Sequence, residues 1–535
     1  MKKIKYSYIA LATILMVGAC KQDVIVTTDP TTTTPPTPNK GSADFTKFVS
    51  VGTSFTAGMQ AQALFNTGQA NSLPRIMAKQ FESVGGSTTF NQPDINSVNG
   101  FNPISSNVGI GLILGRLVLY DPDGTGPRSA GPAAAKTPAL SVTCPSAVTT
   151  PAVPAPYNTA DLPGAYTGNK ATLNNFAVPL IVTAQTMTGA TGNPGAGAIY
   201  SPYYARFASN PGTSTIIQDA RAAAGSFYMI WLGFDDVLLY AATGADGVTA
   251  GTYPMTDATA FATVYNGAIA TLTTGTTFKG VVGNIPDFTS LPYFYTVTWN
   301  NITLDAATAA SVTSSLDVNY NAFLDGMVTN GVITAAERDK RKLTHVAGKN
   351  GILMTDEDLT NLASYMVGPY AGLAPFAKAR QATATDLVPL AAGSILGTCL
   401  NGNVATAVYG VSYPVSDQYI LTAAETTAIL TRTAALNSTI SAAVSGSGGR
   451  LVLADVRKAY NDFVTAKGAV SDNVFITPSF APPTGAFSED GLHPNARGYA
   501  FTANIFIDAI NSGFQAVIPK ASLNAYSGTG LPVTP

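Results

Sequence analysis

The sequence predicts an α/β sandwich with a mainly parallel sheet, and two observations carry that expectation. Short apolar runs bounded by Gly or Pro, at Phe48–Val51, Phe227–Leu232, Val281–Ile285 and Leu451–Ala454, read as buried strands. Helical patterns separate some of them, and strands alternating with helices point to crossover connections and a parallel sheet. The stretch Leu421–Val444 is rich in Ala and Leu. In Ala496–Ile510 the residues Tyr499, Ala503, Phe506 and Ile510 recur at spacings of four, three and four, which lines one helix face.

The start of the chain is predicted to lie outside this fold. Lys2, Lys3 and Lys5 precede an apolar run from Tyr8 to Val17 and then small residues, the three zones of an export signal over residues 1–19. The run is too short to span a bilayer. Val17-Gly18-Ala19-Cys20 resembles the bacterial lipobox, which implies lipidation at Cys20, an anchor in the membrane through that lipid only, and a place in the cell envelope at the outer membrane. An ordinary cleaved signal with a chance cysteine is the alternative. Residues 20–43, with TTDPTTTTPPTPN from Thr27 to Asn39, read as an extended tether.

From about residue 44 to 515 the chain has ample apolar content for a large core, at 46% hydrophobic overall, and residues 516–535 read as a C-terminal tail. Only 11% of residues are charged, against a usual figure of about 25%, and the net charge of −2 gives no reason to expect nucleic acid as a partner. Besides Cys20 there are two cysteines, Cys144 and Cys399, so one disulfide is open to an exported body. With His345 and His493 the only histidines, no metal-ligand spacing stands out, and neither a metal nor a cofactor is expected. His345 reads as a solvated residue in a charged segment, and Trp231 and Trp299 as packing aromatics.

Three stretches fit the simple alternation poorly. Residues 91–170 and 186–215 are rich in Pro, Gly, Asn and Ala, and 295–420 carries its own charged helix-like segment, Ala335–Lys342. They read as insertions on one catalytic domain, with an inserted subdomain in 295–420 as the alternative.

The chemistry gathers at the two ends of the body. Strand Phe48–Val51 runs into Gly52-Thr53-Ser54-Phe55-Thr56-Ala57-Gly58, which puts a serine hydroxyl on a tight turn at the carboxyl edge of the sheet. Alone this is only a common small-residue turn. Near the other end, Ser488-Glu489-Asp490-Gly491-Leu492-His493-Pro494 sets a carboxylate three residues before a histidine, the partner that fixes the tautomer of a general base. Alone, this too is explained by an Asp capping a turn and a His packing on it.

Together with Gly233-Phe234-Asp235-Asp236 after an apolar strand, these segments resemble the first, third and fifth sequence blocks of the SGNH (GDSL-like) hydrolases, in the family's order. Asn284-Ile285-Pro286-Asp287, Arg380-Gln381-Ala382-Thr383 and Arg497-Gly498-Tyr499-Ala500 are similar to the lipoprotein branch of that family found in Bacteroidota. The resemblance spans about 48–511. It implies a three-layer α/β/α sandwich, flavodoxin-like, and a serine esterase with Ser54 as nucleophile, His493 as general base and then acid, and Asp490 as its orienting carboxylate. The substrate implied is a carboxylic ester, such as an acylated glycan or lipid.

The resemblance also implies an oxyanion hole at Ser54, Leu180 and Asp235, and here the chain departs from the pattern. Leu180 stands where a glycine is expected. Asp235 stands where an asparagine amide would donate, and an ionised carboxylate cannot donate. Thr53 replaces the usual Asp beside the serine. Two other readings therefore stand beside the esterase: a binding lipoprotein on the same fold with little turnover, and an assembly subunit of an outer-membrane complex.

Overall fold

Four buried apolar runs form one parallel sheet: β1 (Phe48–Gly52), β2 (Phe227–Trp231), β3 (Lys279–Gly283) and β4 (Leu451–Ala454). They lie side by side in that order, with Phe48 beside Phe227, Tyr228 beside Gly280 and Gly283 beside Ala454. Every residue of β1 and β2 is buried, as expected of a parallel sheet covered on both faces. Each large apolar side chain withdrawn from water there contributes about 1.5–3 kcal/mol before chain entropy is counted. The protein is thus an α/β fold with a parallel central sheet. The structure, a computed structural model, describes residues 36–104, 106, 113–119, 152–154, 162–247, 253–401 and 404–529.

At the outer edge of β1 the segment 174–178 runs parallel to it. Ser50 N–H donates to Asn174 O, Phe176 N–H to Ser50 O and Val178 N–H to Gly52 O. This segment comes between β1 and β2 in the chain yet lies on the far side of β1. The sheet therefore grows in opposite directions from β1, and its carboxyl ends diverge between β1 and β2.

Seven helices fix the surroundings of the site: α1 (Ser54–Ala57), α2 (Leu73–Phe81), α3 (Ile216–Ala222), α4 (Asp235–Ala242), α5 (Ala258–Thr273), α6 (Ala423–Ser445) and α7 (Ala496–Phe514). α5 packs against both α3 and α6, while α7 packs against α2 and β4. Their ends follow from their caps. Thr422 and Glu425 form a capping box that starts α6, Asp257 accepts from the N–H groups of Thr259 and Ala260 at the start of α5, and Asn495 accepts from Gly498 N–H to start α7. The apolar face of α7 is the one read from its spacing: Tyr499, Ala503, Phe506 and Ile510 are all fully buried.

The insertion at 295–420 contains antiparallel pairs of its own, Ile302–Leu304 with Gly348–Asn350, Leu353–Thr355 with Ala379–Gln381, and Cys399–Leu400 with Val404–Val408. Arg380 ties it together, since its buried guanidinium holds Asp386 through both terminal nitrogens, at 2.7 and 2.8 Å, and reaches Asp356 through Nε. His345 corrects the sequence expectation of a solvated residue. It is buried, and its Nδ1 lies 2.8 Å from Asp317 Oδ1, because a π-helical turn at Thr313–Asp317 brings that carboxylate beneath it.

The chain divides into Met1–Thr37 and Pro38–Pro535, and all the elements above belong to the second part. Both expected margins of the body are narrower than the sequence suggests. Asn39, assigned to the tether, pairs with Val517, and Ala516, Ile518, Ala521 and Leu523 of the expected tail are buried. Asn504 and Asn511 of α7 pair with the backbone of Ala521 and Ile518, which fastens that segment. The signal segment, Cys20, Cys144 and most of the 91–170 insertion lie outside the described residues. Cys399 is disulfide-bonded. Trp231 packs between Phe55 and Phe506, as expected of a core aromatic. Among the described residues, no helix is long and apolar enough to cross a membrane.

Candidate active site

The turn from β1 to α1 is tight enough to demand glycine twice. A Cβ on Gly52 would lie 2.1 Å from Thr56 Oγ1 and 2.8 Å from Trp231 O, and Gly58 caps α1 at φ +84°. Between them Ser54 opens the helix, fully buried. α1 is a single turn, so its dipole supplies little positive field at Ser54. Individual N–H groups supply it instead.

The most direct of these belongs to Leu180, whose N–H donates to Ser54 Oγ at 2.9 Å. Leu180 adopts φ +56°, a left-handed conformation that glycine takes freely and a leucine takes at a cost of about 1–2 kcal/mol. The backbone thus keeps the shape expected of a glycine, and its N–H points at the serine. The edge segment 174–178 leads straight into it.

Ser54 Oγ also donates to Asp235 Oδ2 at 3.5 Å, the outer limit of a hydrogen bond. Asp235 and Asp236 form the first turn of α4 and do not continue the strand, so their directions follow a helix. Asp236 turns to Thr183, accepting from its N–H at 2.9 Å and its hydroxyl at 2.6 Å. Asp235 turns to Ser54. Burial pushes the Asp235 carboxyl up to about 7; His493 and the N–H of Ile181 pull it down, while Asp236 pushes it further up.

From the other end of the chain come Asp490 and His493. His493 Nδ1 lies 2.7 Å from Asp490 Oδ2, and its ring packs against Phe55, centroids 5.1 Å apart, next to Ser54 in the chain. Asp490 is well satisfied. Its Oδ1 accepts from the N–H groups of Leu492 and His493, both at 2.9 Å, and from the Ser488 hydroxyl at 3.0 Å, while Oδ2 accepts from Gln62 N–H at 2.8 Å. Burial pushes this carboxyl up, but His493 and the N–H donors outweigh it, and its pKa lies below the ordinary carboxylate value. An ionised Asp490 only accepts, so Nδ1 carries the proton and Nε2 is left as the basic nitrogen.

The structure therefore brings Ser54, Leu180, Asp235, Asp490 and His493 to one place at the carboxyl end of β1 and β2. Among the described residues no hydrogen bond joins Ser54 to His493, whose rotamers leave the serine on Asp235 and Leu180. Two participants escaped the sequence. Ala61 and Gln62, both left-handed at φ +50° and +62°, aim their N–H groups at Ser488 Oγ and Asp490 Oδ2. Backbone donors leave no mark in composition, and only their acceptors, Ser488 and Asp490, lay inside a recognised motif.

One further cluster lay beyond reach of sequence spacing. Glu357, Asp417 and Glu425 bring carboxylate oxygens within 4.8 Å of one another from three separate elements, close enough to hold a cation. Burial, together with the neighbouring Glu357 carboxylate, pushes Asp417 and Glu425 above the ordinary carboxylate range. Compared with protein-family models, curated proteins and solved structures, the chain matches none of them significantly.

Proposed function

We propose that this protein is an exported, lipid-anchored serine esterase of the SGNH type, with Ser54 as nucleophile, His493 as general base and Asp490 as its orienting acceptor. The observation that carries the reading is the convergence of Ser54, the Leu180 N–H and the Asp490–His493 pair at one sheet edge from positions more than 400 residues apart. The edge segment 174–178 supports the flavodoxin-like fold as well. Counted as the second strand, it makes the order 2-1-3-4-5, and the site then sits at the switch point where such sheets bind ligands. The separate packing groups, α3, α5 and α6 against α2 and α7, fit a three-layer sandwich.

In this reading a rotation of Ser54 or His493 brings Oγ to Nε2, as catalytic hydrogen bonds often tighten only with substrate. Oγ then attacks the acyl carbon and its proton passes to Nε2. The carbonyl π electrons move to oxygen, which the Leu180 N–H and a protonated Asp235 stabilise. Collapse expels the alcohol, which takes the proton from His493, and water repeats the sequence to release the acid and free Ser54.

The contact between Ser54 and Asp235 favours a second reading, a binding lipoprotein, because an ionised Asp235 would hold the hydroxyl and repel an oxyanion. Hydrolysis of short-chain p-nitrophenyl esters by the full chain in detergent, with Ser54→Ala alongside, separates the two. The esterase reading expects the variant to lose about 10⁴–10⁶ in turnover and wild type alone to be labelled by an acyl-phosphonate. Equal, negligible rates and no labelling would favour the binding protein.

A further inference from the structure

Leu180 has a second face. Its N–H meets Ser54, while the residue also lines a cavity of about 410 Å³ that extends through Pro179 and Leu239 to the exposed side chains of Ile199 and Tyr253. The volume falls in the range of small-molecule sites. No residue lining it carries a formal charge. Three of its polar side chains already serve the fold: Gln185 donates to Ile199 O and accepts from Val182 N–H, Thr188 accepts from Ala190 N–H, and Tyr203 donates to Phe101 O.

A sugar ring needs unengaged donors and acceptors along its path, since each hydroxyl stripped of water and left unpaired weakens binding. This wall offers few, and offers apolar surface that starts at Leu180, whose N–H meets Ser54. The strained backbone of Leu180 fits the same purpose. A glycine would serve as the N–H donor without strain, whereas the leucine adds an apolar wall where a bound acyl chain would leave the reacting carbon.

We propose that the groove from Leu180 to Ile199 and Tyr253 is an acyl-chain subsite, so that the substrate is an ester of a medium-length or longer fatty acid and not an acetylated glycan. This rests on the reading of Ser54 as an esterase nucleophile. Its consequence is a steep dependence on chain length, about fourfold in kcat/KM for each methylene added until the groove is full.

The test uses the full chain in detergent and two readouts. One is kcat/KM across p-nitrophenyl esters from acetate to dodecanoate, for wild type, Ala198→Trp and Ile199→Asp. Both positions are exposed on the groove wall, and the ratio of octanoate to acetate is measured within each protein, so it does not depend on the folded fraction. The other is binding of a fluorescent dodecanoic acid analogue to Ser54→Ala, with and without Ala198→Trp. The expected result is a rising series in wild type, a ratio lowered roughly tenfold or more in both groove variants, and weaker probe binding when Trp fills the groove. Serine-dependent turnover with a flat series, or probe binding indifferent to Ala198→Trp, overturns the subsite and leaves the esterase. No turnover with any ester, while the probe still binds in the groove, overturns the esterase reading instead.

Discussion

At Asp235 a fully buried carboxyl faces Ser54, and with its pKa pushed up to about 7 it changes charge near neutrality. In the esterase reading, the protonated form below that value donates to the developing oxyanion, and the carboxylate above it repels that charge. The sign follows directly: as pH rises through about 7, kcat/KM should fall, by about 10²–10³ once ionisation is complete. Asp235→Asn, which donates at every pH, should remove this fall and exceed wild type most at pH 8–9. Rate profiles of the two proteins from pH 5 to 9 check this, and parallel profiles would remove Asp235 from the oxyanion hole. The same shift acts on stability. Because the folded-state value is raised, the protonated form favours folding at low pH, and this contribution is lost as pH rises through about 7. Asp235→Asn should therefore raise the thermal midpoint more at pH 8 than at pH 5.

Among the elements, the capping box of α6 and the Arg380 cluster make separable contributions. Thr422→Ala removes a hydroxyl that accepts from Glu425 N–H, and should cost about 1 kcal/mol in urea unfolding. Arg380→Ala leaves Asp356 and Asp386 buried without their shared cation. The expected cost is about 3–5 kcal/mol, expressed first in the 295–420 insertion and readable there by amide exchange or limited proteolysis. Arg380→Lys should recover little, since one ammonium cannot span both carboxylates in the plane of the guanidinium.

For the molecule as a whole, the parallel sheet was legible because its strands are apolar runs buried on both faces, and α6 and α7 because their patterns are long. The boundaries shifted by a few residues where caps decided them, as when Thr422 delays the start of α6 beyond Leu421. The site was legible in its side chains, Ser54, Asp490 and His493, which sit in short motifs. What was not legible is carried by backbone geometry or by long-range packing. The left-handed turns at Ala61, Gln62 and Leu180 leave no trace in residue type. The burial of His345 against Asp317 and the packing of 516–523 onto α7 depend on partners that periodicity cannot pair. The Cys399 disulfide adds a further global term, and reduction should lower stability by about 2–4 kcal/mol in urea titrations with and without dithiothreitol.

The grip of Gln62 on Asp490, together with the Tyr499 hydroxyl on Met59 O at 2.6 Å, spans nearly the full length of the body. Contacts so distant in sequence close late, because the loop between them must be ordered first. A chain made from its N-terminus presents Ser54 long before His493 arrives, so the nascent polypeptide holds one half of the candidate site without the other. In the esterase reading, hydrolysis would begin only when the last helix docks, and recovery of activity would mark the end of folding and not its onset.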